Sequence, residues 1–255
     1  MTNKKDIRNL NIEELAQFCF IHNLPKFRAK QVWEWLWKKR ATSFKEMTSI
    51  SKKTRELFKD HFIINSIKIH NEEISSDGTI KYSFKLHDSL LIEGVLIPSK
   101  KRLTACISSQ VGCSLSCKFC ATGTLKLERN VTASEIYEQV FLLNEQAALI
   151  FGKPISNIVY MGMGEPLLNY KSVVNSTNYI TSKHGLGMSP KRITVSTAGI
   201  SKMIRKLGDD KVKFNLAISL HSASDKKRDA LMPLNKKINL SELSSAVRYF
   251  YEQTR

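Results

Sequence analysis

The chain has 255 residues, 42% of them hydrophobic, and its 40 Lys and Arg outnumber its 23 Asp and Glu to give a formal charge of +17. That length suffices for a buried core, and with only 11 Gly and 6 Pro the composition excludes a disordered, collagen-like or low-complexity chain. No apolar run approaches the roughly 20 residues of a membrane span, and Met1 to Arg8 lead into no secretory signal, so a soluble, cytoplasmic protein without a membrane partner is expected.

The basic excess is spread along the chain: 20 basic against 12 acidic residues up to position 105, and 20 against 11 beyond it. A uniformly basic globule suits a polyanion such as nucleic acid, because binding a phosphate backbone releases counterions. The alternative is a solvated, Lys-rich surface. Two local clusters stand out, Lys38-Lys39-Arg40 and Lys100-Lys101-Arg102.

The N-terminal part reads as helical. Asn11 followed by Glu14 is an N-cap with a capping box, and Leu15, Phe18, Cys19 and Ile21 follow at roughly helical spacing. A second helix runs from about Phe27 to Lys39, with Ala29, Val32, Trp33, Leu36 and Trp37 on one face. Trp35 falls off that stripe, and either stacks on a base or fills a gap against a neighbouring segment. A third helix starts at Ser51, completing a small helical domain over 1–62. Between 63 and 102 the pattern changes to period two, with a turn at Ser75-Ser76-Asp77-Gly78 between strands and further strands at Ile80–Leu86 and Leu90–Ile97. This region reads as a short antiparallel meander linking to the main domain.

From 103 onward strands and helices alternate. The strands are expected at 103–108, 157–161, 192–196 and 213–220, and the helices at 132–150, 170–183, 200–207 and 241–253. Four β–α units in succession are the pattern of a parallel sheet or barrel with right-handed crossovers. The expected fold is therefore α/β, with the domain 103–255 as its core.

Five cysteines occur, Cys19, Cys106, Cys113, Cys117 and Cys120, four of them within fifteen residues. An odd, clustered set is a poor disulfide framework and points to a metal or redox site. Cys113, Cys117 and Cys120 form C-x₃-C-x₂-C directly after a strand. By themselves they admit zinc, an iron–sulfur cluster or coincidence. Zinc wants a fourth nearby ligand, whereas three thiolates can hold three irons of a cubane and leave the fourth iron open. The strand-then-loop setting, with Phe119 before the last cysteine, favours iron–sulfur. Met163-Gly164-Glu165-Pro166 ends the second strand, where glycines would let the backbone approach a ligand and Glu165 could accept from a cationic amine. Ser196 ends the third strand and Ser219-Leu220-His221 the fourth, so all converge on the face where parallel barrels build sites. Read alone, His221 is a structural histidine, Cys106 a core cysteine, Glu93 a surface residue and Glu165 a solvated turn residue.

Together these motifs resemble the radical S-adenosylmethionine (SAM) enzymes, and among them the dual-specificity RNA adenine-C2 methyltransferases. The resemblance rests on Ser108-Ser109-Gln110-Val111-Gly112-Cys113, Phe119-Cys120-Ala121-Thr122-Gly123, Arg129-Asn130-Val131-Thr132, Met161 to Leu167 and Leu220-His221-Ser222. It implies a partial (βα) barrel with four of the family's six βα units, a [4Fe-4S] cluster on Cys113, Cys117 and Cys120, and SAM held by Gly164, Glu165, Ser196, Ser219, Leu220 and His221. It further implies that Glu93 removes the C2 proton of adenine. Cys106 would resolve a protein–RNA adduct by forming a disulfide with a methyl-carrying cysteine. The implied substrates are one adenosine of 23S rRNA and one in tRNA anticodon loops, and the implied protein is a monomer served by an electron donor such as flavodoxin. The sister class that methylates C8 of the same rRNA adenosine, and a basic RNA-binding protein with a zinc site, are the other readings.

The sequence departs from that family in having no cysteine after Cys120. The expectation is a C-terminally truncated member, lacking the methyl-carrying cysteine and two strands, that binds cluster and SAM without completing methylation.

Overall fold

The computed structural model describes residues 4–255, so the part of the N-terminal signal reading that falls on Met1 to Asn3 lies outside the described residues. Two compact units form, one from the residues up to Ile67 together with Asn178–Met188, the other from Lys68–Thr177 together with Ser189–Arg255.

The first unit contains β1 (Lys5–Asp6), α1 (Ile12–Ile21), α2 (Phe27–Trp37), α3 (Lys52–His61) and β2 (Phe62–Ile63), with β1 and β2 paired in parallel. Both bonds of the capping box start α1: the Glu14 amide donates to Asn11 Oδ1 and the Asn11 amide to Glu14 Oε2, each at 2.7 Å. On α2 the apolar stripe buries Ala29, Val32, Leu36 and Trp37, and the Trp37 ring stacks on Tyr179 at 4.0 Å between centroids. Trp35 is taken up by a neighbouring segment. Its indole N–H donates to Ser49 Oγ at 2.8 Å, and the Lys39 ammonium covers its ring.

The second unit runs β3 (Lys68–Ile74), β4 (Ile80–Lys85), β5 (Leu91–Pro98), β6 (Leu103–Cys106), β7 (Gln110–Val111), β8 (Arg129–Asn130), α4 (Ala133–Phe151), β9 (Asn157–Tyr160) and α5 (Tyr170–Thr181) as far as Thr177. It closes with β10 (Ile193–Thr197), α6 (Ser201–Asp209), β11 (Asn215–Ile218), α7 (Asp225–Leu231) and α8 (Leu240–Thr254). Seven strands make one sheet in the order β11-β10-β9-β6-β5-β4-β3. Strands β6, β9, β10 and β11 are parallel, and the antiparallel meander β3–β5 joins them through the β5–β6 pairing, Val95 opposite Cys106. This is the parallel-rich sheet of a partial (βα) barrel, with Ala105, Ile158, Tyr160, Ile193 and Val195 buried along its strands.

One ion pair fixes the segment after the cysteine loop. Arg129 donates a fork to Glu135, Nη1 to Oε2 at 2.9 Å and Nη2 to Oε1 at 2.8 Å, and its Nε donates to Asp88. Burial pushes the Glu135 carboxyl up, but the Arg129 fork and the Thr132 amide outweigh it and hold the group below the usual carboxylate range. A depressed carboxyl stabilises the fold above its unfolded pKa, and that contribution is lost as pH falls through the folded value. Glu135→Gln is expected to cost about 3 kcal/mol at pH 7. In urea titrations across pH the gap from the unsubstituted chain should close on acidification. A gap independent of pH would mean the fork contributes no charge interaction.

Candidate active site

Three thiols reach one cavity because the loop that carries them is clasped at its base. Strands β7 and β8 pair Gln110 with Asn130 and Val111 with Arg129, so residues 112–128 leave and re-enter the fold at one point. The buried Asn169 amide clamps both sides of that clasp, donating to Ser109 O at 2.8 Å and Val131 O at 2.7 Å. Farther out, the Lys118 amide donates to Leu231 O at 2.9 Å and ties the loop to the end of α7. Two-residue strands carry no readable periodicity, and this clasp is absent from the sequence reading.

A cavity of about 280 Å³ is lined by Cys113, Cys117 and Cys120 on one side and by the ends of β9, β10 and β11 on the other. Gly164, Glu165, Ser196, Ser219 and His221 line it too, and the Ser196 and Ser219 hydroxyls bond each other at 3.1 Å. The Phe119 and His221 rings lie 3.8 Å apart between centroids. Leu220 does not line the cavity: its side chain is exposed and its carbonyl points to Arg228. Neither Glu93 nor Cys106 lines it either.

Glu165 is buried at 3% exposure, and each of its carboxylate oxygens accepts from a backbone amide. The Leu167 amide donates to Oε1 at 2.9 Å and the Ala198 amide to Oε2 at 2.7 Å. Burial still pushes its pKa up, the backbone donors opposing it only in part. This is a pre-aimed carboxylate short of compensating positive charge, rather than a solvated turn residue. The glycines around it serve a different purpose from the one expected. A Cβ at Gly164 would lie 2.4 Å from Gln110 Cβ, and one at Gly162 would lie 2.7 Å from Ser108 Oγ. Their missing side chains make room for Ser108 and Gln110, while both residues still line the cavity.

Cys106 is 8% exposed on β6, and burial pushes its thiol up to about 11, with the Met161 amide opposing. It is therefore a neutral thiol at pH 7. Glu93 sits on β5 at the same end of the sheet as the cysteine loop, its carbonyl accepting from Ser108 Oγ, and its half-exposed carboxylate lies 3.6 Å from the Lys81 ammonium. All five cysteines are free thiols, so the disulfide implied for Cys106 is not seen. Arg228, unremarked in the sequence, is 1% exposed beside the cavity and bonds the Leu220 and Ala198 carbonyls and the Asn235 side chain.

The donor set bears on what the site can hold. Among the described residues no three His, Cys, Asp or Glu side chains gather as ligands of a single ion. A cubane distributes its thiolates over different irons and does not need one focus. Burial and the negative charges nearby raise the Cys113 and Cys117 thiols, so holding these two as thiolates favours cationic charge in the loop, which cluster iron would supply. Three soft thiols with an acceptor carboxylate across a shared cavity fit a cluster and a cationic ligand.

The chain matches known proteins over nearly its whole length. Residues 5–64 match the ribosomal RNA large subunit methyltransferase N-terminal domain, and residues 107–254 match the radical SAM superfamily. The chain is 54% identical over 252 residues to a probable dual-specificity RNA methyltransferase RlmN of Flavobacterium psychrophilum, covering 99% of this chain and 73% of that protein. It is 42% identical over 247 residues to the dual-specificity RNA methyltransferase RlmN of Geotalea uraniireducens, covering 97% and 70%. Its structure is similar to the crystal structure of a radical SAM methyltransferase from Sphaerobacter thermophilus, with TM-score 0.88 and 34% identity over 98% of this chain and 73% of that one.

Proposed function

The chain belongs to the dual-specificity RNA methyltransferases of the radical SAM superfamily, and from that membership we propose that it methylates C2 of one adenosine in 23S rRNA and of one in tRNA anticodon loops. The observation that carries this reading is the cavity that three thiols share with Glu165, Ser196, Ser219 and His221. A [4Fe-4S] cluster and SAM, when bound, supply the one-electron chemistry that a methyl transfer to an electrophilic ring carbon requires.

The chain's own residues have the following tasks. Cys113, Cys117 and Cys120 would hold three irons. Gly164 and Glu165 would take the methionine end of SAM: a buried carboxylate kept in place by two amides is a ready acceptor for its ammonium. Ser196, Ser219 and His221 would contact the remainder of SAM, while Leu220, whose carbonyl accepts from Arg228, would hold the turn that carries His221. Glu93 would receive the C2 proton at the mouth of the sheet. Cys106 would act as the resolving thiol, and since burial keeps it protonated it needs a base at that step.

RNA contact is assigned to the helical domain 1–62, with the meander 63–102 leading into the SAM core 103–255. The first unit supports this with a cavity of about 780 Å³ in which Lys4, Lys45, Lys52, Arg55 and Lys59 surround Phe44, Phe62 and Ile63. Among the described residues no helix is long and apolar enough to cross a membrane. A monomer working on cytoplasmic RNA, reduced by a flavodoxin-type donor, completes the proposal.

Deleting the gene from its host and digesting 23S rRNA and tRNA to nucleosides tests it. Mass spectrometry is expected to find 2-methyladenosine missing from both. Unchanged 2-methyladenosine, or loss of 8-methyladenosine instead, would overturn the reading.

A further inference from the structure

We infer that Arg228 is a positioning residue that aims Glu165 and the Ser219–His221 turn at SAM, an inference that rests on the SAM reading above. Arg228 lies in α7, away from every motif used so far. Its Nε donates to Leu220 O at 3.2 Å, Nη1 donates to Asn235 Oδ1 at 2.9 Å, and Nη2 donates to Ala198 O. All three direct acceptors are neutral, and Asp225 acts on the guanidinium only at longer range, without an ion pair to it among the described residues. Burying a cation against neutral oxygens is an expensive way to hold loops together if stability were the only return.

The two carbonyls it selects explain the placement. The Ala198 residue accepts from Arg228 at its carbonyl, and its amide donates at 2.7 Å to Glu165 Oε2. Arg228 therefore fixes the residue that fixes the carboxylate. The second carbonyl belongs to the peptide joining Leu220 to His221, and His221 has a φ of +57°, in the left-handed region. A non-glycine residue stays there only where its surroundings hold it, and Arg228 holds the peptide on which that φ turns. Both sides of the cavity that face the cysteine loop thus hang on one side chain. The third acceptor locks the guanidinium itself: the Asn235 amide donates in turn to Asp225 Oδ1 at 2.9 Å and Asp229 Oδ1 at 2.8 Å. A lysine ammonium on a flexible stem cannot reproduce a planar fork aimed at three separated acceptors.

The test is SAM affinity, measured by equilibrium dialysis with labelled SAM on the anaerobically prepared, cluster-bearing chain. Iron content and thermal melting are followed in parallel. Arg228→Met is expected to weaken SAM at least tenfold, about 1.4 kcal/mol, with iron content unchanged. Arg228→Lys should weaken it at least fivefold, and Asn235→Ala about threefold by unlocking the fork. In the cluster-free chain, amide exchange at Ala198 should accelerate in Arg228→Met. A lower melting temperature with SAM affinity unchanged at 25 °C would overturn the inference, leaving Arg228 a structural residue. Full rescue by Arg228→Lys would also overturn it, because charge alone would then suffice. If Arg228→Met does not fold, unchanged affinity in Asn235→Ala overturns it in the same way. An unsubstituted chain that carries its cluster but binds no SAM would instead bring down the SAM reading itself.

Discussion

Cys117→Ser is expected to abolish iron binding and, with it, all SAM-dependent chemistry, a loss of at least a thousandfold. Cys117 is the middle cysteine of the loop, and it lines the same cavity as Cys113, Cys120 and Glu165. A serine hydroxyl stays protonated at neutral pH and is a hard, weak donor to iron, so two thiolates are left where three are required. The loop itself should survive, because its base is clasped by β7–β8 and Asn169, and its middle is tied by the Lys118 amide to Leu231. The variant should therefore melt near the temperature of the cluster-free parent while showing no visible iron–sulfur absorbance. Iron retained at parental stoichiometry would mean that the loop is not the cluster site.

The second large effect falls on stability. Gly164→Ala is expected to cost about 3 kcal/mol, from overpacking and an unfavourable backbone combined. Gly164 has a φ of +93°, which L side chains rarely adopt, and the added methyl would meet Gln110 Cβ at 2.4 Å and the Gln110 amide nitrogen at 2.9 Å. Gln110 cannot swing aside cheaply. Its Nε2 donates to Asn130 Oδ1 and its Oε1 accepts from the Glu165 amide, each at 2.8 Å. The same residue forms half of the β7–β8 clasp, so strain there passes to the cysteine loop, and iron incorporation should fall along with the urea midpoint. A cost below about 0.5 kcal/mol, the range of ordinary surface substitutions, would show that the chain does not pass this close to Gly164.

These two effects mark what could and could not be read from the sequence. The parallel strands were legible because Ile158, Tyr160, Ile193 and Val195 sit in short apolar runs bounded by turn residues, and every expected helix from 132 onward lies within two residues of its observed ends. The cysteine spacing alone left zinc, an iron–sulfur cluster and coincidence open, and it was the strand-then-loop setting with Phe119 that favoured iron–sulfur. What stayed hidden depends on partners distant in sequence. The amides that hold Glu165 come from Leu167 and from Ala198, and no local pattern announces the second. Asn169 and Gln110 look like ordinary loop residues until β7 and β8 close. Arg228 falls in the charged run Asp225-Lys226-Lys227-Arg228-Asp229, which reads as a solvated face. The one signal was its spacing of four from Met232, which is also buried. Gly162 and Gly164 were recognisable as constrained, but whether a glycine yields space to a ligand or to its own chain is a tertiary fact.

The central claim is that the Cys113–Cys120 loop and the strand ends opposite it form one radical SAM site. Its most direct measurement is SAM cleavage by the anaerobically prepared chain with dithionite as reductant, followed by chromatography of the nucleosides. The account predicts a brown protein that releases 5′-deoxyadenosine and methionine from SAM over time, and a Cys117→Ser variant that releases neither. A colourless protein carrying zinc on these cysteines, with SAM left intact, would contradict it.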